Sequence, residues 1–69
     1  MYKESFPSKL KHARIDAGFS QTQIKDLTGI NQDNLSKYEN GHLEPNIEKL
    51  GILIDLYEVK ASWILSTKE

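Results

Sequence analysis

Three glycines, Gly18, Gly29 and Gly41, punctuate the first half of the chain at intervals of eleven and twelve residues. Each follows a stretch with helical spacing of apolar residues, and a glycine just past a helix takes the left-handed C-terminal conformation at no steric cost. The segments between them have room for only about two or three helical turns. Helices that short have little stability of their own in water. Packing between several short helices must therefore hold the fold.

The remaining punctuation agrees. Before Gly18, Phe6, Leu10, Ala13 and Ala17 fall on one helical face, and Pro7 fits the first turn, where its missing N–H is no loss. Ser20 with Gln23 three residues on makes a capping box, and Ile24 and Leu27 offer an inner face before Gly29. Asn31 is placed to cap a third helix, with Leu35 and Tyr38 on one side and Gly41 closing it. Pro45-Asn46 marks a fourth start, with Asn46 the cap and Ile47, Leu50, Leu53, Ile54 and Tyr57 at helical spacing. Val59, Trp63, Ile64 and Leu65 predict a last short helix. No segment alternates with the period of a strand. The expectation is an all-α, compact five-helix domain spanning residues 1–69.

Composition narrows the function classes. Cysteine is absent, and His12 and His42 have no zinc-finger partner spacing, so neither metal nor cofactor is expected. No P-loop, HExxH, GxSxG or cysteine nucleophile is present, so catalysis is not expected. At 38% hydrophobic and 28% charged residues the balance suits a soluble domain. No apolar run nears the roughly 20 residues of a membrane helix, and Met1 to Ser5 lack the apolar core of a signal peptide. A cytoplasmic location is expected. Net charge is −1, lower than nucleic-acid-binding domains usually carry. Residues 1–42 hold six basic and five acidic side chains, and residues 43–69 three and five. Any anion-binding surface belongs in the first half.

Two short helices meeting across Gly29 suit a helix-turn-helix arrangement, whose second helix can enter a DNA major groove, and equally a small helical domain with glycine turns and no such role. Leu10-Lys11-His12-Ala13-Arg14, Gly18-Phe19-Ser20-Gln21, Ile24, Gly29-Ile30 and Leu35-Ser36-Lys37-Tyr38-Glu39-Asn40-Gly41 resemble the lambda-repressor-like (Cro/cI, Xre-type) helix-turn-helix family. Pro45, Leu50, Leu53 and Val59 to Leu65 continue the likeness, which covers about residues 8 to 65. Four positions depart from the family pattern. Lys25 stands where alanine is common, Glu58 where Gly or Asn often ends a helix, and Lys60 where Ser or Thr often caps one. Gly51 lies inside the fourth helix, at a cost of about 1 kcal/mol relative to alanine.

The resemblance implies a sequence-specific double-stranded DNA-binding transcriptional regulator, acting as a homodimer on a palindromic operator. Gln32, Asp33, Asn34 and Lys37 would read bases; on spacing alone an ordinary solvated helix face is the favoured reading, and the resemblance reverses it. Gln pairs with adenine, Lys with guanine, and Asp accepts from cytosine while repelling phosphate. Gln21, Asn40 and His42 would meet phosphates, Gln21 at a helix N-terminus whose N–H groups suit an anion. Arg14 and Glu39 match a family salt bridge with a structural role. Trp63 and Leu65 would form the dimer contact, against the alternative that Trp63 plugs the monomer core. The competing function is a protein-interaction module such as an antitoxin, whose acidic second half suits a basic partner.

Overall fold

Side-chain caps open four of the five helices in the computed structural model, which describes residues 5–65. The helices are α1 (Phe6–Asp16), α2 (Gln21–Thr28), α3 (Gln32–Asn40), α4 (Ile47–Tyr57) and α5 (Ala61–Leu65). Ser5 Oγ accepts the Ser8 N–H ahead of α1, with Pro7 in the first turn. Ser20 and Gln23 exchange both bonds of the capping box on α2, at 3.1 and 2.8 Å. Asn31 and Asn46 accept from Asp33 and Lys49, each at 2.8 Å. Each bond satisfies an N–H that the first helical turn leaves without a partner.

The helix ends follow the same local logic. Gly29 and Gly41 take φ of +79° and +81°, and their N–H groups close α2 and α3 on the Lys25 and Lys37 carbonyls. Glu58 occupies the same left-handed region at φ +57° after α4, where a side chain is strained. Lys60 precedes α5 and has no side-chain acceptor with which to cap it.

One core joins all five helices. Leu10 and Ala13 from α1, Ile24 from α2, Ile30 from the turn, Leu35 and Tyr38 from α3, Leu53 and Tyr57 from α4, and Ile64 from α5 are buried together. Full burial of one such aliphatic side chain stabilises by about 1.5–3 kcal/mol. α3 packs on both α1 and α2, while α5 rests against α1. Among the described residues there is no strand, and no helix is long and apolar enough to cross a membrane.

Three expectations of inner faces are corrected. Leu27 is 60% exposed, because Ile24 and Thr28, one turn apart, form the inner line of α2. The Thr28 hydroxyl donates to the Ile24 carbonyl and accepts the Ile30 N–H, which turns the chain into α3. Ile47 is 89% exposed, since it starts α4 before that helix reaches the core. Ala17 is exposed as the cap residue of α1. Lys25 is exposed too, so its stem does not pry apart the helices around it.

Gly51 lies exposed within α4, and a Cβ built there would meet nothing within 4 Å. Gly51→Ala should therefore stabilise the protein by about 1 kcal/mol, the ordinary helix-propensity difference. Thermal unfolding should shift upward by about 4–8 °C for a chain of this size. A lower midpoint would mean that the position is not open.

Candidate nucleic-acid interface

Arg14 sits in the last turn of α1, facing α3 and the chain that leads into α2. Its guanidinium donates from Nε to Glu39 Oε2 at 2.7 Å and from a terminal nitrogen to Glu39 Oε1 at 3.1 Å. The other terminal nitrogen donates to the Phe19 carbonyl at 2.8 Å, while the Phe19 N–H returns a bond to the Arg14 carbonyl at 3.1 Å. Arg14 is 9% and Glu39 6% exposed, so this is a buried, bidentate ion pair. The salt bridge that the resemblance implied is present.

Glu39 carries a further contact. Gln21, the first residue of α2, donates from Nε2 to Glu39 Oε1 at 3.1 Å. A primary amide has two N–H donors. One is held inward by the carboxylate, and the second remains for a group at the surface. Arg14, Phe19, Gln21 and Glu39 thus tie α1, the α1–α2 loop, α2 and α3 at one point.

The outward face of α3 is polar. Asp33 and Lys37 are one turn apart on its outer line, with Asn40 beside them, and all three are exposed. Gln32 is exposed on one flank. Asn34, half-buried on the other flank, lines a cleft with Thr28, Asn31, Glu48, Lys49 and Ile52. The structure brings the four expected base-reading residues to the first turns of one helix, with Gln21 at the start of the neighbouring helix.

The loop after α3 differs from a set of free backbone donors. The N–H groups of Gly41 and His42 both turn back to the Lys37 carbonyl, His42 at 2.9 Å. Asn40 Nδ2 donates to the Ser36 carbonyl at 2.9 Å. The exposed His42 side chain and the remaining amide atoms of Asn40 are the polar groups of the expected phosphate-binding residues that face solvent here.

Two buried side chains were not expected in these roles: Tyr57, expected only as an inner residue of α4, and Lys9, which carried no signal in the sequence. Tyr57 is buried beside Phe19, with ring centroids 6.4 Å apart, and its hydroxyl makes no hydrogen bond to another described residue. Burial raises its pKa above the ordinary tyrosine value, the nearby Glu39 carboxylate adds to the rise, and Arg14 opposes it. Lys9 is buried against Trp63, which is 41% exposed. Ile64 supplies the core residue of α5, while Leu65 is 52% exposed.

A short turn joining α2 to α3, with polar side chains on the outer face of the second helix, defines a helix-turn-helix domain. A helix-turn-helix family model matches residues 10–64, and the chain belongs to the lambda-repressor-like, Xre-type branch of that class. It is similar to the HTH-type transcriptional regulator ImmR of Bacillus subtilis (strain 168), at 34% identity over 65 residues, 94% of this chain and 51% of that protein. It is also similar to the SPbeta prophage-derived uncharacterized HTH-type transcriptional regulator YonR of the same strain. There the identity is 33% over 60 residues, 87% of this chain and 56% of the relative. The chain spans about half the length of these curated relatives.

Two stability tests follow from this geometry. Arg14→Met or Glu39→Leu alone should cost about 3–5 kcal/mol, because each strands a buried charge. The double replacement should cost less than either single one. Additive losses in denaturant titrations would show that the two charges act independently. Tyr57 sets an alkaline limit. In the unfolded chain its phenol ionises near pH ~10, whereas the folded protein holds it neutral above that value. Its contribution is complete below pH ~10 and is lost as the pH rises further. Tyr57→Phe should therefore flatten the loss of stability above pH ~10, with little cost at neutral pH. An unchanged alkaline slope would assign that loss to other groups.

Proposed function

We propose that this chain is a sequence-specific DNA-binding transcriptional regulator that reads the major groove with α3. The observation that carries the reading is the polar outer side of the first turns of α3, with exposed Gln32, Asp33 and Lys37 and half-buried Asn34, and Gln21 at the start of α2. The names of the two relatives, both HTH-type transcriptional regulators, support the same reading. Gln32 and Asn34 would pair with adenine edges, Lys37 with guanine and Asp33 with cytosine. Gln21 would donate its outer N–H to a phosphate, helped by the N-terminal end of the α2 dipole. Asn40 and His42 would meet the backbone farther along the groove. The expected location is the cytoplasm, with the DNA.

Few cations face the groove in this arrangement. Lys37 is the one cation among the proposed base readers, and Asp33 beside it repels phosphate. Non-specific affinity should therefore be modest, and amide donors must supply much of the positioning. A dimer on a palindrome would double the contacts, with two α3 helices about 34 Å apart on successive turns. Trp63 and Leu65, exposed on either side of buried Ile64, are the proposed dimer contact. A protein partner is the second reading, favoured by exposed Leu27 and Ile47 and the acidic second half of the chain.

Selection from random DNA, followed by gel shifts at two salt concentrations, tests the proposal. A selected palindrome with salt-dependent binding supports the regulator; no selected sequence supports the protein-partner reading. On the selected operator, Gln32→Ala should lose about 1–3 kcal/mol and relax preference at one base position. Gln21→Ala should weaken all sequences about equally and leave the salt slope nearly unchanged, because a neutral amide displaces few counterions. A sequence-dependent loss for Gln21→Ala would make it a base reader instead.

A further inference from the structure

α5 has five residues, too few for a helix to hold itself. Lys9 Nζ on α1 donates to the Trp63 carbonyl at 2.9 Å. The same ammonium lies 5.5 Å from the centroid of the Trp63 ring, within cation–π range. Lys9 is only 8% exposed, unusual for a lysine without strong partners. The indole also borders a hollow of about 320 Å³ lined by Ala13, Ala17, Tyr57, Val59 and Lys60.

We infer that Lys9 is the positioning residue of α5, holding its backbone through the Trp63 carbonyl and its exposed surface through the Trp63 ring. One ammonium bonds the α5 backbone and faces the π surface of the same residue. Ile64 anchors the helix in the core, but one apolar residue does not determine how the helix is rotated. Lys9 supplies the second point. Its consequence for assembly rests on the proposed dimer contact, since the side chains it orients are those offered to a second copy.

Lys9→Met keeps the stem and removes the charge, while Lys9→Arg keeps the charge, the donors and the ability to stack. Amide hydrogen exchange on the full chain should quicken about tenfold at Trp63 and Ile64 in Lys9→Met, beyond any change in core amides of α1 and α3. Lys9→Arg should quicken those rates less than Lys9→Met does, since a charge, donors and a stacking surface remain. On a selected two-half-site operator, Lys9→Met should bind a single half-site as wild type does but lose cooperativity between the two. Unchanged α5 exchange overturns the inference, and so does global unfolding of Lys9→Met, which would make Lys9 a general core residue. Faster α5 exchange in a protein whose wild type binds half-sites independently leaves Lys9 as the holder of α5 and overturns the dimer contact.

Discussion

The bidentate pair between Arg14 and Glu39 is the contact on which the arrangement of α1, α2 and α3 depends. Both ends are buried. Removing two charges from water is costly, and their attraction offsets that cost only when geometry is good and the remaining donors are satisfied. Here the third guanidinium arm reaches the Phe19 carbonyl, and the carboxylate also receives the Gln21 amide. A hydrophobic pair of equal volume could hold the helices together as firmly. It could not fix the rotation of α3 or turn Gln21 inward, which is where directional bonds differ from packing.

The same pair bears on the low net charge. A highly basic protein can hold DNA with many loosely placed lysines. A chain at net charge −1 needs each polar donor in position before binding, because little general attraction compensates for misplacement. The caps on α2 and α3, the Thr28 bonds in the turn and the Glu39 contact all restrict motion near the proposed reading face. Strain is accepted elsewhere, at Glu58, and Gly51 adds a helix-propensity cost, both far along the chain from that face.

Local rules made most of the backbone legible. Ser20, Asn31 and Asn46 announce helix starts, and Gly29 and Gly41 announce ends, because capping involves only neighbouring residues. Side-chain burial was less legible. Leu27 and Thr28 are equally plausible inner residues on spacing, and only the position of the turn decides between them. The Arg14–Glu39 pair spans 25 residues and was indicated by family likeness, not by periodicity. The Gln21 contact to that pair and the Lys9 bond to Trp63, 54 residues away, had no sequence signal. Both arise where helices distant in sequence meet.

The most direct measurement is operator binding by the Arg14→Met/Glu39→Leu double variant, with and without Gln21→Ala, once circular dichroism has established that each protein is folded. If the ion pair serves the proposed interface by holding Gln21 and α3, the apolar pair should fold yet bind the selected operator more weakly. Adding Gln21→Ala to it should then cause little further loss, because the amide has already lost its bracket. A folded double variant that binds with wild-type affinity, and loses as much from Gln21→Ala as wild type does, contradicts that role.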